Sequence, residues 1–378
     1  MGDLIFIARQ DTLEDVQIDG WLNDYKLHGE DSFAFNTPKY WEKMCLSPQA
    51  ANDRRVNGDA LEYVLTVAAP GGTATLPEWM ALLCDTAEQA AAGLYAGLLT
   101  AEQLAQSSAA MAAVSNSETA MAAVTASETA MNGICSAETG LSALMASPLY
   151  DEYVKENSMA LAKAAVALAN SDEFSAISSC AEMAENSTAM SALAASETAM
   201  SALANSATGR TYISGSEYYD EYIKEDTMCI AKMAVGFAGL DSAAYSSMAG
   251  VAAESTAMTA VAASSTAMTA VAASTVAKNA ITASTTAYNA LAASPLCTKW
   301  NDTSDGWNNE TIRNGKGFVV DHYGGHSTSN TNEAYVTIDG AKTMVNHKGT
   351  TKLNKFFDSS LAVYNYYKNS YVRYIPIN

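Results

Sequence analysis

Three stretches with different internal rhythm predict a multi-domain protein. An α+β module spans residues 1–99, a mainly α repeat array of short capped helices, of α-solenoid type, spans 100–296, and an all-β domain spans 297–378. Two observations carry most of this reading. A ten-residue phrase recurs through the middle of the chain, and alanine nearly vanishes after Cys297 while strand-like alternation begins.

The first 99 residues are non-repetitive, with aromatics at Trp21, Tyr25, Phe33, Phe35, Tyr40 and Trp41 and turn signals at Thr37-Pro38 and Ser47-Pro48. A strand is expected at Glu62-Tyr-Val-Leu-Thr-Val, ahead of Pro70-Gly-Gly. From Leu76 the pattern turns helical.

The array begins with Ser117-Glu-Thr-Ala-Met-Ala-Ala-Val-Thr-Ala and repeats from Ser127, Ala137, Asn186, Ser196, Glu254, Ser264, Ser274 and Ser284. At about 100° per residue, ten residues fall roughly 80° short of three helical turns. One straight helix therefore cannot keep Met121, Met131 and Leu141 on one face, and sustained coiled coils use repeats of seven or eleven. Position one is mostly Ser or Asn, which cap helices, and position two is often Glu or, where the array halts, Pro148 and Pro295. Acids and proline suit a first helical turn. Each decad thus reads as a short helix whose buried seam takes Met or Leu at position five and Val, Ile or Leu at position eight. The seam residues are Met121, Val124, Met131, Ile134, Met190, Met200, Met258 and Met268. The competing reading is a continuous helix in a trimeric coiled coil. Ser147-Pro148 and Ser294-Pro295 oppose it, since an interior proline costs about 3 kcal/mol.

A longer duplication overlies the decads. Tyr150-Asp-Glu-Tyr-Val-Lys…Lys163 matches Tyr219-Asp-Glu-Tyr-Ile-Lys…Lys232 at an offset of 69, so similar units lie near 150–218 and 219–294. Tyr153, Tyr222, Met159 and Met228 are expected to be packing anchors.

In the last segment, Gly317-Phe-Val-Val-Asp and Glu333-Ala-Tyr-Val-Thr-Ile-Asp-Gly read as strands, and the run from Tyr364 to Ile377 as a terminal strand or strand pair. A compact sandwich or barrel follows from this spacing. Tyr364, Tyr366, Tyr367 and Tyr371 alternate with amides and cations including Arg373, a composition suited to recognition of carbohydrate or protein. The one metal-like constellation is Asp321-His322 with His326, in a Gly-rich loop that does not enforce convergence. Asn301-Asp-Thr-Ser-Asp opens like a calcium loop but has Ile312 at the twelfth position. Nucleophile-elbow, phosphate-loop and zinc-protease motifs are absent from the sequence, so no enzyme, metal or cofactor is expected.

Net charge is −20, divided as −9, −13 and +2 over the three segments. An acidic array disfavours nucleic acid and anionic membranes. Six scattered cysteines without a CxxC pair read as buried free thiols of a protein assembled in a reducing compartment. The start lacks signal-peptide character, and no apolar run reaches membrane-spanning length because Lys163 and Lys232 interrupt the best candidates, so no membrane insertion is expected.

The phrase Ser-x-Thr-Ala-Met-x-Ala-Val-Ala-Ala, as at Glu254–Ala263 and Ser264–Ala273, resembles the Ala-rich decapeptide arrays of structural fibre and appendage proteins of tailed bacteriophages. The C-terminal Gly317-Phe-Val-Val-Asp and Tyr374-Ile-Pro-Ile are similar to small β-rich domains that close such proteins. The resemblance covers residues 106–378 and departs from the phrase at Lys278 and Tyr288, which replace Met. It implies a virion protein assembled in the host cytoplasm, commonly a homotrimer, docked at one end on other virion proteins and projecting the other toward a bacterial surface glycan or protein; residues 1–99, which the resemblance does not reach, are expected to be the docking end. The alternative it leaves is an architectural collar, neck or baseplate decoration whose tip binds other virion proteins. It implies no catalytic residue.

Overall fold

The computed structural model describes residues 10–47, 49, 50, 53, 55, 56, 59, 60, 63, 101–106, 108–303, 308–325, 334–365 and 369–377. They belong to two compact units, Met1–Ala167 with Phe174–Ser179, and Leu168–Glu173 with Cys180–Asn378. A helical central region precedes a C-terminal region of antiparallel sheet.

In the first unit, α1 (Gln10–His28) and α2 (Pro38–Cys45) meet through aromatic side chains. Trp21 stacks on Tyr40 at 4.7 Å between ring centres, and Phe35 meets Trp41 edge-on at 4.8 Å. The turn expected at Thr37-Pro38 is a helix start, because proline's fixed φ and missing N–H suit the first helical position. Among the described residues before Ala101 there is no strand. The one expected at 62–67 lies outside them except for Tyr63, which is helical, and the helical pattern from Leu76 lies outside them up to Ala101.

The array then runs α3 (Ala101–Ala105), α4 (Ser108–Ser115), α5 (Glu118–Ala126), α6 (Glu128–Cys135), α7 (Glu138–Met145), α8 (Tyr150–Tyr153) and α9 (Ser158–Leu168). α6 packs on α3, α7 on α4 and α8 on α5. In the second unit it continues as α10 (Cys180–Glu185), α11 (Ser187–Ala195), α12 (Glu197–Asn205), α13 (Ala207–Gly215), a π turn at Tyr219–Ile223, α14 (Thr227–Phe237), α15 (Met248–Ala253), α16 (Ser255–Ala263), α17 (Ser265–Ala273), α18 (Thr275–Ala283) and α19 (Thr285–Ala293). Here α13 packs on α10, α17 on α14, α18 on α15 and α19 on α16. In each of these pairs a helix rests on the one three places earlier, so three decads make one turn of a coil.

The decad is nine helical residues and one extended residue. Ser264 ends α16 and starts α17 with φ −97° and ψ 116°, and the two helices bend by 99° across it. Its N–H bonds Val261 O at 3.1 Å, closing α16, while its Oγ accepts from Ala267 N at 3.2 Å, capping α17. The same Oγ donates to Phe237 O in the coil beneath, at 3.1 Å. Ser284 repeats the arrangement, donating to Ala252 O at 2.5 Å and accepting from Ala287 N at 3.1 Å. Ser147, Ser216 and Ser294 donate to Ser115 O, Ala184 O and Ala262 O, 32 residues earlier in each case. One hydroxyl therefore satisfies an orphan donor of its own helix and a carbonyl near the end of another. The breaks at Ser117, Ser127 and Ser264 overturn the continuous-helix alternative.

Met121, Val124, Met131, Ile134, Met190, Met200, Met258 and Met268 all lie fully buried within their own units. Alanine and glycine fill the remaining inward positions because the backbones approach closely. At Gly236 an added Cβ would collide with Ala204 O.

Lys163 and Lys232 are buried rather than surface interruptions. The Lys163 ammonium donates to Asn132 Oδ1 at 2.7 Å, Phe174 O at 3.0 Å and Glu128 Oε1 at 3.3 Å. Lys232 donates to Ser242 O at 3.3 Å and lies 3.5 Å from Glu197. Glu128 and Glu197 share the same 69-residue offset, so the duplication copies an ion pair that pins the loop after each long helix. Among the described residues no single helix is long and apolar enough to cross a membrane.

Among the described residues of the C-terminal region, eight strands pair into two antiparallel sheets. One has the order β1 (Thr298–Asn301), β8 (Tyr371–Ile377), β3 (Lys316–Tyr323), β6 (Thr350–Phe357), and the other β2 (Asn308–Asn314), β7 (Ser360–Asn365), β4 (Ala334–Ile338), β5 (Ala341–Val345). Val319, Leu353, Phe357, Val372 and Tyr374 of the first sheet meet Val336, Ile338, Leu361 and Val363 of the second in a sandwich core. The final run beginning at Tyr364 is split, since β7 and β8 belong to different sheets.

Two measurements test this account. Ser284→Ala removes both a cap and a bond between coils and is expected to cost about 1–2 kcal/mol in urea unfolding, more than Ser127→Ala, whose hydroxyl caps Ala130 N. Cys45, Cys135, Cys180 and Cys229 are buried free thiols. Burial pushes the Cys135 thiol up to about 12 and raises Cys45 and Cys229 as well. A thiol reagent near pH 8 is therefore expected to leave these four untouched until the protein unfolds.

Candidate recognition surface

Lys278 and Tyr288, which replace methionine in the last two decads, mark where the sandwich is seated on the array. Asp321 of β3, fully buried, receives Arg373 of β8 in a fork, Nε to Oδ1 at 2.9 Å and Nη2 to Oδ2 at 2.5 Å. The Tyr288 hydroxyl of α19 donates to Asp321 Oδ2 at 2.9 Å, and Arg373 Nη1 donates to Ala292 O at 3.1 Å. Burial and the Asp321 carboxylate push the Tyr288 phenol up to about 12, and Asp321 holds Arg373 firmly protonated.

Beside this cluster, Asn354 adopts φ 43° in β6 and aims its amide at the end of α18. It donates to Ile281 O at 3.0 Å, Thr282 O at 2.9 Å and Ser284 O at 3.3 Å, carbonyls that a helix end leaves open. The Lys278 ammonium sits 4.6 Å from the Phe356 ring centre and 4.0 Å from Asp358, and Lys352 sits 4.5 Å over Tyr288. Phe318, Val320, Ile375 and Ile377 complete the contact by joining one core with the array residues Val261, Val271 and Ile281. The β1-β8-β3-β6 sheet is thereby covered on both faces, and the β2-β7-β4-β5 sheet carries the outward face.

That outward face is built by period-two alternation. Ala334, Val336 and Ile338 point into the sandwich, leaving Tyr335 and Thr337 partly exposed on the other side. Cross-strand register places Tyr364 and Met344 on either side of Tyr335. Tyr335 and Tyr364 stack at 4.7 Å and 13°, and the Lys342 ammonium lies 4.3 Å over the Tyr335 ring. Met344 is 56% exposed. A matching stack occurs on the other sheet, where Tyr323 and Tyr371 pair at 5.0 Å with Lys299 4.1 Å over Tyr371. In each the rings face one another and a cation lies over one of them, so Tyr335 and Tyr371 offer phenol edge and ammonium rather than an open aromatic plate.

The residues expected to form one tyrosine surface are thus separated. Tyr364 belongs to the outward stack and Tyr371 to the other. Arg373 is engaged in the junction with Asp321, which corrects its expected place on the surface: its planar fork matches a buried carboxylate. Tyr366 and Tyr367 lie outside the described residues, as does His326, while His322 is fully buried. Sequence reasoning missed Tyr335, Lys342 and Met344, although alternation in the run after Glu333 put Tyr335 on a polar face. It also missed the junction, whose signal was the loss of Met at Lys278 and Tyr288.

Among the described residues no three of His, Cys, Asp and Glu come together as a metal site would require. The outward surface can hydrogen-bond, attract anions and offer apolar contact. No known protein family matches this chain, and no curated protein is similar to it at a significant level.

The junction predicts a large asymmetry. Arg373→Met leaves the buried Asp321 carboxylate without its cation and is expected to cost about 3–5 kcal/mol in thermal or urea unfolding. Arg373→Lys, which keeps the charge but loses the fork, is expected to recover part of that. A loss below about 1 kcal/mol for Arg373→Met would place the pair among screened surface bridges.

Proposed function

We propose that this chain is a non-enzymatic appendage subunit of a tailed-bacteriophage virion, in which the helical array acts as a spacer and the β-sandwich attaches to the bacterial surface. The observation that carries the reading is the seating of the sandwich. One sheet is spent on bonds and apolar contact with the array, and the other turns a stack of tyrosines with a lysine and an exposed methionine outward. Residues 1–99 serve as the docking module, and the exposed apolar side chains Val16, Leu27 and Phe33 suit protein contact.

The array supports a spacer role because its seam is closed within the chain. The seam pairs Met121 and Val124, Met258 and Val261, and Met268 and Val271 are covered by helices of the same chain, so the spacer's core does not depend on forming a homotrimer. Copy number on the particle then supplies strength. Tethering several tips makes later contacts intramolecular and raises avidity over single-site affinity about 10²–10⁴-fold.

The test uses the full-length protein, labelled and displayed in many copies on beads, against a panel of bacterial cell envelopes. Attachment to some envelopes and not others, much weaker for the single soluble chain, is the expected outcome. Attachment to none, together with capture of virion proteins by the sandwich, would replace this reading with the collar, neck or baseplate decoration.

A further inference from the structure

One edge of the sandwich is rich in lysine. Between Ala341 and Phe357 the chain carries Lys342, Lys348, Lys352 and Lys355 and no Asp or Glu, in a protein of net charge −20. All four are exposed. β5 ends one sheet and β6 ends the other, and Lys355 Nζ donates to Thr343 Oγ1 at 3.2 Å, so these two edge strands run along one side of the sandwich. Among the described residues no carboxylate pairs with any of the four.

The acids that bracket this edge are already engaged. Asp339 accepts from the backbone N–H groups of Asp358, Ser359 and Ser360 and from the Ser359 hydroxyl, which hold its carboxyl down at about 2 against the desolvation that opposes them. Asp358 lies beside Lys278. The edge is therefore locally cationic, and α18, the array helix against which β6 packs, carries no Asp or Glu.

From this charge and its neighbours we propose that the β5–β6 edge, with the adjoining Lys342–Tyr335 stack and Met344, binds an anionic polysaccharide. Carboxylates or phosphates along such a polymer meet Lys342, Lys348 and Lys355, and its sugar rings meet the tyrosine edge and the methionine. Single-stranded nucleic acid fits less well. Its binding draws on open aromatic faces for base stacking, and here Tyr335 has one face on Tyr364 and the other under Lys342. The inference rests on the sandwich being the attachment domain and names the class of surface polymer it takes.

Affinity electrophoresis of the full-length chain tests it, with polygalacturonate as the anionic probe, dextran as the neutral one and poly(dT) as the nucleic-acid one. Polygalacturonate is expected to retard the protein, progressively less as salt rises, while dextran does not. The combined variant Lys342→Gln, Lys348→Gln and Lys355→Gln is expected to bind roughly tenfold more weakly, and the three corresponding Lys→Arg changes to retain binding. Lys352 is left in place because it also covers Tyr288 in the junction. No retardation by polygalacturonate, equal retardation of the Gln variant, or retardation by dextran or poly(dT) as strong as by polygalacturonate would each overturn the proposal. The envelope assay separates the two readings. A Gln variant that still attaches to envelopes overturns the polysaccharide site alone, whereas polygalacturonate binding without envelope attachment supports the site and overturns the attachment role.

Discussion

A single extended residue between consecutive helices sets the geometry of the helical region. Nine residues of helix followed by one residue near φ −100° turn the chain by 99° at Ser264, so three helices return it over its own start. Such a corner leaves one helix's last carbonyls and the next helix's first N–H groups without partners. Serine answers both needs, because its hydroxyl accepts from the N–H groups ahead and donates to the coil beneath. Glu254 and Asn186 supply caps with other acceptors, and Ala137 has no side-chain cap at all. The capping requirement is thus shared across the array and not absolute at each corner.

The core that results is thin. Each corner allows only two turns of helix, which admit one large residue at position five and one at position eight, while alanine lets the backbones come close. That economy leaves little room for polar groups, yet Lys163 and Lys232 are fully buried. Burying an ammonium is tolerable only with partners. Both lysines find them in a decad glutamate and in carbonyls of the loop that follows. The ion pair couples a regular coil to an irregular loop, and its recurrence at the offset of 69 makes it part of the duplicated unit.

Departures from the repeat carry the information about docking. Where the seam continues, position five is mostly methionine, with Leu141 and Arg210 as exceptions. At Lys278 and Tyr288 the seam ends because the next layer is a β-sheet, and the two side chains change chemistry accordingly. Tyrosine reaches a buried carboxylate and lysine an aromatic ring and an acid. Arg210, at the same position of α13, packs 5.7 Å from the Phe237 ring centre and donates to Ala204 O. The sandwich in turn presents one sheet inward and one outward, so its lysine-bearing edge and tyrosine stack follow from how the first sheet is spent.

Local chemistry made the helical middle legible. Capping residues every ten positions, acids and prolines behind them and apolar residues at two fixed places are short-range signals, and they announce short helices, their boundaries and their buried face. Alternation announced β4, and the apolar run Phe318-Val319-Val320 announced β3, which is buried on both faces. Three helices per turn could not be read from ten residues, since it depends on the corner angle and on which earlier carbonyl each serine reaches, 32 residues back at Ser284 and 27 at Ser264. The pairing of Asp321 with Arg373, 52 residues apart, and the split of Tyr364 from Tyr371 between two sheets were equally invisible. The sequence by itself determined the helices, their caps and their apolar seam, because those interactions close within a few residues. Only the tertiary structure decided which sheet the array covers and which side chains remain outside, because that choice rests on contacts between segments the chain order keeps apart.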